Sequence, residues 1–260
     1  MPGWRRILTR GVAEAFALTR ARHAARPGLR VLMYHAVGSS AVDDALGIYT
    51  ISPELFAQQI AALAGHDRAS IVSLEQGLAA TAPQRVAVTF DDGYRDNLYR
   101  AAPILLQHGI PFTVFVCTDF IGQASGNCLT RGEVRELAML PGVTIGSHGA
   151  THAPLTRLDA RALNDELSSS KACLEDLTGR AVTSISYPHG AVDRRVRDAT
   201  AAAGYAIGAC SRFDINDTAR DPLLLCRSDI LGIDSVRVFR QKLHGDWDWY
   251  RWRSADPAGL

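Results

Sequence analysis

Two aspartates stand side by side at the point where an apolar run of the sequence ends. Asp91 and Asp92 follow directly after the stretch RVAVTF, and Gly93 comes after them. Adjacent carboxylates repel each other, and a role as N-cap of a following helix accounts for only one of them. A chemical interpretation gives each carboxylate its own task, because one can bind a metal ion while its neighbour accepts a proton. The pair therefore indicates a metal-assisted acid–base site.

A second set of candidate ligands lies in the stretch SHGATH. His148 and His152 are four residues apart, a spacing that predicts both imidazoles on one face of a helical turn. Alone, such a pair is more typical of a surface or a helix cap than of a metal site. Together with a carboxylate at the end of another strand, two histidines form a three-ligand set with open coordination positions. Hydrolytic sites of the zinc type have this composition.

The elements that must position these side chains alternate along the sequence. Ser52 and Pro53 resemble an N-cap and a first helical position, opening the helical segment PELFAQQIAALAGH. Short apolar runs that predict strands are LRVLMYHAV, ASIVSL, RVAVTF, PFTVFVC, VTIGSH, TSISYP, YAIGA and LLLCRSDI. Strands that alternate with helices predict an α/β fold with a parallel sheet, closed as a distorted (β/α) barrel of seven or eight strands.

Polar side chains collect at the ends of several predicted strands. In a (β/α) barrel the carboxyl ends of the strands meet at one rim, which is where the chemistry takes place. The residues at these ends are Tyr34, His35, Asp91, Asp92, Ser147, His148, Tyr187, Pro188, His189, Arg227, Ser228 and Asp229. The sequence therefore predicts that they surround one site.

Composition excludes several classes of function. The 260 residues carry a formal net charge of +1, which gives no general electrostatic argument for nucleic-acid binding. The five cysteines are odd in number and include no CxxC pair, which argues against a disulfide framework or a thiolate zinc site and suits a reducing compartment. The sequence contains no GxGxxG motif and no P-loop, so we expect no organic cofactor.

The N-terminal segment, residues 1–29, differs from the rest of the chain. From Met1 to Arg30 the sequence has seven arginines and a single acid, Glu14, with apolar residues at helical spacing. This pattern predicts a basic amphipathic helix that either packs on the domain or contacts a membrane surface; a remnant targeting peptide is the third interpretation. No secretory signal and no apolar run of ~18 residues is visible. We therefore expect a protein that is cytoplasmic or peripheral at the inner face of the cytoplasmic membrane.

The motifs TFDDG, SHGATH and YPHG, in this order, resemble the polysaccharide deacetylase family, also called the NodB-homology or carbohydrate esterase 4 family. The resemblance extends from about Arg30 to Asp234 and implies that residues 30–260 form a deacetylase-like catalytic domain. It also implies one bound divalent metal ion and removal of acetyl groups from N-acetylated sugars. The early stretch LMYHAV resembles more narrowly the permuted branch that deacetylates poly-N-acetylglucosamine.

The resemblance implies a role for each residue of the proposed site. By similarity to TFDDG, Asp91 is the catalytic base and Asp92 a metal ligand, and by similarity to SHxxxH, His148 and His152 are the other two ligands. His35 matches the general acid of the permuted branch, in which this histidine comes from the first strand. The structural alternative for His35 is a histidine that caps the end of a strand.

The stretch SYPHG departs from the R-P-P-Y-G motif of the family. Ser186 stands where the family has the arginine that steadies the base, and His189 stands where it has a tyrosine. Tyr187, Pro188 and His189 are expected to bind substrate or the oxyanion. Arg227, at the end of the last predicted strand, is the candidate that replaces the missing arginine, and a surface ion pair with Asp229 is its alternative.

The expected activity is metal-dependent hydrolysis of N-acetyl groups on an amino-sugar polysaccharide, or on its oligosaccharide or lipid-linked precursor, with release of acetate. Zinc is the expected metal, although an Asp–His–His set also accepts cobalt, nickel, manganese or iron. Two other functions stay open at this stage. One is a different amidase or an O-acetyl esterase on the same scaffold, and the other is a catalytically silent carbohydrate-binding protein.

Overall fold

The computed structural model describes residues 13–14, 26–41, 44–66, 70–79, 82–123 and 127–257. A central parallel sheet organises this part of the chain. The strands, in chain order, are β1 (Gly28–Tyr34), β2 (Ala36–Val37), β3 (Thr50–Ile51), β4 (Gln84–Phe90), β5 (Phe112–Val116), β6 (Val143–Ser147), β7 (Ser184–Ser186), β8 (Ile207–Ala209) and β9 (Ser228–Asp229). Strands β2 and β3 form a separate two-stranded sheet, and the other seven form the central sheet. The order in the seven-stranded sheet is β8-β7-β6-β5-β4-β1-β9, with every ladder parallel.

Helices connect successive strands, and all but the second cover the outside of the sheet; Leu74 of the second helix packs with Leu29 and Val31. They are α1 (Pro53–Ala64), α2 (Leu74–Ala79), α3 (Ala102–Gln107), α4 (Arg131–Met139), α5 (Ala160–Thr178), α6 (Arg194–Ala202) and α7 (Val236–His244). A π-helical turn, Asn97–Ala101, leads directly into α3. Parallel strands need crossover connections of this kind, so the alternating order of elements follows from the topology.

The sheet curls until its two edges approach each other. In β9 Ser228 pairs with Leu32 of β1, and the residues just before β9 continue toward β8. There Leu225 forms a parallel bridge with Ala209, and the Cys210 amide donates to the Leu225 carbonyl at 2.8 Å. The fold is therefore a distorted (β/α) barrel in a single domain, which confirms the fold expected from the sequence.

Alternate residues of β1 point to opposite faces of the sheet, and both faces are buried. Leu29 and Val31 pack in an inner cluster with Phe115 of β5. Leu32 and Tyr34 belong to the larger outer cluster that lies beneath the helices. A parallel strand covered on both faces is mostly apolar, which explains why β1 and β4 were recognisable as nearly continuous apolar runs.

Local signals correctly predicted α1 but not every strand. The Ser52 hydroxyl accepts a hydrogen bond from the Leu55 amide at 3.2 Å, as expected for the N-cap of α1. The run ASIVSL, by contrast, contributes only one isolated bridge, between Ile71 and Val86. The reason is that Ser73 exchanges hydrogen bonds with Gln76, a reciprocal cap that starts α2 before a strand can extend.

Of the basic N-terminal segment, residues 1–29, the structure describes residues 26–29, of which Gly28 and Leu29 belong to β1, and the two residues Ala13 and Glu14. These two residues are helical; Ala13 is buried beside Val238 and Trp247, and Glu14 accepts a hydrogen bond from Arg237. All three partners belong to α7 or to the stretch that follows it. Among the ranges that the structure describes, no helix has the length and apolar character needed to cross a membrane.

Candidate active site

Asp92 lies in a tight turn at the carboxyl end of β4, at the rim of the barrel. The turn gives Asp92 a φ of 74° and Gly93 a φ of 79°. A Cβ added at Gly93 would lie only 3.1 Å from Val116, so the turn depends on this glycine. The Tyr94 hydroxyl donates to Asp92 Oδ2 at 2.9 Å. Asp92 Oδ1 is buried and has no hydrogen-bond partner among the described residues.

The two histidines of SHGATH face this same unpartnered oxygen. The Nε2 atoms of His148 and His152 each lie 3.4 Å from Asp92 Oδ1, and the ligand atoms of the three residues are all within 4.8 Å of one another. His148 Nδ1 donates to the Ser186 carbonyl at 2.8 Å. That hydrogen bond fixes the ring orientation and leaves Nε2 as the free nitrogen, as in known metal-binding histidines.

His148 and His152 are not on a helical turn, so that part of the sequence prediction is wrong. They flank an irregular loop in which Gly149 has a φ of 73° and His152 a φ of 66°. The carboxylate of Glu166, on α5, accepts hydrogen bonds from the Ala150 amide at 2.7 Å and the Thr151 amide at 3.1 Å. Because the loop amides bond to this carboxylate instead of to carbonyls of a helix, the backbone curves and brings the two imidazoles together.

Backbone strain is concentrated at this rim. Among the described non-glycine residues, Asp92, His152 and His189 are those with positive φ. A conformation of this kind costs roughly 1–3 kcal/mol and persists where the surrounding contacts enforce it, which is most common at functional sites.

A buried arginine, Arg227, holds the Asp91 carboxylate in place. Arg227 Nη1 donates to Asp91 Oδ1 and Nη2 to Asp91 Oδ2, each at 2.7 Å. Arg227 Nη2 also donates to the Ser186 hydroxyl at 2.7 Å, and that hydroxyl donates to Asp91 Oδ2 at 3.0 Å. Arg227 Nε bonds to the Cys210 carbonyl at 3.0 Å. Arg227 is 0% exposed, so the alternative of a surface ion pair is wrong.

The electrostatics of the rim favour a positive charge between the carboxylates. Burial raises the pKa of Asp91, but Arg227 and His148 lower it more, so the net pKa lies below its ordinary value. Burial would lower the pKa of His148, yet the neighbouring Asp91 and Asp92 raise it. Burial and the adjacent His148 lower the pKa of His152 to about 4. His152 is therefore neutral at pH 7, with a lone pair on Nε2 free to bind a cation.

His35 lies between the rim and the small β2–β3 sheet. Its imidazole packs against the Tyr49 ring with centroids 4.6 Å apart, and its buried Nδ1 has no hydrogen-bond partner among the described residues. His35 interacts electrostatically with Asp91, Asp92 and Asp229. Burial raises the pKa of Asp229, whose Oδ1 likewise has no partner among the described residues. The predicted acid and the predicted base are thus close enough to interact.

Of Tyr187, Pro188 and His189, only His189 has its side chain beside the candidate metal ligands. The His189 ring is exposed and lies 4.6 Å, centroid to centroid, from the His152 ring. The Tyr187 side chain is fully buried, and its hydroxyl donates to the Leu223 carbonyl at 2.8 Å. The expectation that the Tyr187 side chain binds substrate is therefore wrong, because its hydroxyl is committed to the core. Pro188 is buried and forms the turn that leads to His189.

Asp92, His148 and His152 fit a divalent cation. The observation that supports this is Asp92 Oδ1, a buried acceptor that faces two imidazole nitrogens and has no hydrogen-bond donor within the described ranges. A buried carboxylate oxygen without a donor is costly, and a cation would satisfy it. One carboxylate and two imidazoles are the donor types that zinc and similar metals accept, with positions left for water and substrate.

Several residues of the site were not predicted from the sequence. Tyr94 and Tyr49 belong to none of the motifs, although the position of Tyr94 directly after DDG could have indicated a contact with the aspartates. Ser186 was recognised only as the residue that replaces an arginine. Glu166 gave no local signal, because it lies on a different element from the loop that it holds.

The family model of polysaccharide deacetylases matches residues 79–208, half of the chain. The chain belongs to the polysaccharide deacetylase family. The match contains both aspartates and both histidines of the candidate metal centre. His35 and Arg227 lie outside it, so the family match does not bear on those two residues.

Two curated relatives and one solved structure are similar to the chain. The putative polysaccharide deacetylase YxkH of Bacillus subtilis is 28% identical over 185 residues, covering 69% of this chain and 63% of YxkH. The peptidoglycan-N-acetylglucosamine deacetylase PgdA of Listeria monocytogenes is 28% identical over 130 residues, 50% of this chain and 26% of PgdA. The chain thus spans less than two thirds of either relative. The Streptococcus pyogenes deacetylase PplD, solved with acetate, superimposes with a TM-score of 0.73 at 23% identity, covering 84% of this chain and 99% of PplD, and shows the same fold.

Proposed function

We propose that the chain is a metal-dependent deacetylase that removes N-acetyl groups from an amino-sugar polysaccharide, or from its oligosaccharide or lipid-linked precursor, releasing acetate. The observation that carries the proposal is the convergence of Asp92, His148 and His152 on one point, with Asp91 fixed beside them by Arg227. The name of PgdA, a peptidoglycan-N-acetylglucosamine deacetylase, supports this class of substrate. We further propose residues 30–260 as the catalytic domain.

We assign the metal to Asp92, His148 and His152 and propose zinc as its identity. A divalent cation at this position supplies Lewis acidity to the acetyl carbonyl and to water. The protein's contribution is a rigid set of ligands. His148 is oriented by the Ser186 carbonyl, Asp92 by the Tyr94 hydroxyl, and the loop carrying His152 by Glu166.

Asp91 is the proposed base that accepts a proton from the attacking water. Each carboxylate oxygen has two lone pairs. Oδ2 already accepts two hydrogen bonds, from Arg227 and Ser186, whereas Oδ1 accepts one, from Arg227. The proton therefore goes to Oδ1. Arg227 keeps the carboxylate ionised before the reaction and holds it in one orientation.

His35 is the proposed acid that protonates the leaving amine, which cannot depart as an anion. The contact with the Tyr49 ring holds the imidazole in place, and its charge can interact with that of the nearby Asp229. This role corresponds to the permuted branch of the family. For the oxyanion we propose the backbone amide of His189.

Acetate release tests the proposed function. Metal-stripped protein is reconstituted with zinc and incubated with N-acetylglucosamine oligomers, with O-acetylated sugars and with a small non-sugar amide. We expect acetate from the N-acetyl oligomers, and none from His148→Ala or from the stripped protein. Preference for the O-acetyl sugar or for the small amide would assign the chain to another class of hydrolase. Bound metal and oligomer binding without any acetate would indicate a silent carbohydrate-binding protein.

A further inference from the structure

The stretch that follows α7 places one large aromatic side chain in solvent. Residues Asp248–Arg253 form a short helical segment behind Trp247. The Trp247 ring is buried and stacks with Trp249 at 6.3 Å between centroids, and Tyr250 meets both rings edge-on. This packing fixes the backbone of the segment, while Trp252 remains 73% exposed. The Arg251 guanidinium lies over the Trp252 ring, 5.4 Å from its centroid, so the anchored segment presents an aromatic ring and a cation together.

In the stretch from Val236 to Arg253 the acids and Lys242 are buried, whereas the arginines reach solvent. From Val236 to Arg253 the two acids, Asp246 and Asp248, are buried, and Asp248 forms an ion pair with Arg30 at 2.9 Å. The arginines of the same stretch point outward: Arg237, Arg240 and Arg253 are exposed and Arg251 is half-buried. Arg237 pairs with Glu14, and Arg251 lies 3.8 Å from Asp214. These two acids neutralise only part of the positive charge of the four arginines. We call Arg240, Arg251, Trp252 and Arg253 the tryptophan–arginine surface.

The tryptophan–arginine surface lies at the opposite end of the barrel from the candidate metal centre. Asp248 pairs with Arg30, which lies near the start of β1, whereas Asp91 and Asp92 follow the end of β4. Helix α7 begins after β9, at the rim, and runs down to this far end. The surface therefore has no part in the proposed chemistry. Its position also brings it next to the N-terminal segment, because Ala13 is buried against Val238 and Trp247.

We propose that the tryptophan–arginine surface docks on an anionic phospholipid bilayer. Tryptophan favours the headgroup region, where its ring is half in apolar surroundings and its N–H can bond to polar groups. Arginines near such a surface each contribute about 1 kcal/mol of attraction to anionic lipids. The whole chain has a net charge of only +1, so a cationic face of this kind directs the molecule to an anionic surface in one orientation. In that orientation the rim with Asp91 and Asp92 faces away from the bilayer.

Vesicle sedimentation tests the proposal with the full chain. Vesicles of equal parts phosphatidylglycerol and phosphatidylcholine are compared with phosphatidylcholine alone, at low and high salt. We expect binding only to the anionic vesicles, weakened by salt. Replacement Arg253→Gln should lower the partition coefficient about five-fold, and Trp252→Ala should lower it at least as much. Matched controls are Met139→Ala and Arg161→Gln, side chains that are 72% and 94% exposed on other helices; neither should change binding.

A second readout separates docking by this surface from docking by the N-terminal segment alone. Lipids brominated near the headgroup should quench the tryptophan fluorescence of the protein, and Trp252→Phe should remove most of that quenching. Absence of binding, equal binding to neutral vesicles, or equal losses in the controls would overturn the proposal. Undiminished binding in Trp252→Ala combined with Arg253→Gln would also overturn it, as would stronger binding to an acidic polysaccharide than to vesicles. Acetate release from soluble oligomers should be unchanged in every variant, which keeps this test independent of the proposed function.

Discussion

Arg227 and Arg95 form two arginine–carboxylate pairs with the same chemistry and different burial. Arg227 bonds to Asp91 through two nitrogens and is completely buried. Arg95 bonds to Glu133 through Nε and Nη2, at 3.0 and 2.6 Å, and its side chain is 44% exposed. Replacing each arginine by methionine therefore compares the stability lost with a fully buried arginine to that lost with a partly exposed one.

The expected costs differ by several kilocalories. Arg227→Met leaves the Asp91 carboxylate buried with only the Ser186 hydroxyl as a donor, and breaking a buried pair in this way costs about 3–5 kcal/mol. Arg95 reaches solvent, and without it Glu133 keeps the Tyr99 hydroxyl and the Thr130 amide as donors, so Arg95→Met should cost about 0–1 kcal/mol. For a chain of this size, 1 kcal/mol corresponds to about 2–4 °C in Tm. We therefore expect Arg227→Met to lower Tm by roughly ten degrees and Arg95→Met by no more than a few degrees.

Thermal and urea unfolding, at the same metal loading for all variants, measure these differences. The decisive variant combines Arg227→Met with Asp91→Asn. Because the loss in the single variant comes mainly from an unpaired buried charge, removing that charge should restore most of the stability. Equal losses for Arg227→Met and Arg95→Met, or no recovery in the double variant, would refute the reasoning. Arg227→Lys should be intermediate, since lysine keeps the charge but not the planar pair of donors.

The other predictions concern the site and the carboxylate of Glu133. His148→Ala should lose bound metal, measured by elemental analysis, while the circular dichroism spectrum stays unchanged; full occupancy would contradict the ligand assignment. Asp91→Asn should keep the metal and lose about 10²–10⁴-fold in rate, whereas Asp92→Asn should lose metal first; the opposite result would exchange their roles. His35→Gln should slow release from an N-acetyl sugar far more than from a nitrophenyl acetate, whose leaving group needs no proton; equal losses would indicate a structural role. Burial raises the pKa of Glu133, but Arg95 and the Thr130 amide lower it more, to about 2. Its stabilising effect is then fully present above its unfolded value of about 4.5 and disappears as the pH falls through 2. The stability difference between wild type and Glu133→Gln should vanish over that interval, and a difference that persists below pH 2 would contradict the assignment.

The sequence by itself determined the fold class and the ligand types. Strands buried on both faces are mostly apolar, so β1, β4 and β5 were visible as nearly continuous runs. Asp91 and Asp92 were recognisable because two adjacent carboxylates after such a run have no simple structural explanation. The N-cap at Ser52 was equally visible, since capping depends on residues that are neighbours in the chain.

Only the tertiary structure decided which groups act on each other across elements. Arg227 reaches Asp91 because the run before β9 closes the barrel between β8 and β1, and no local pattern specifies that closure. Glu166 shapes the loop between His148 and His152 from a different helix, which is why a helical turn was wrongly expected there. Tyr187 stands at a strand end like its neighbours, but the pleat directs its side chain into the core. Sequence patterns record local conformation and burial, whereas contacts between distant residues depend on how the strands associate.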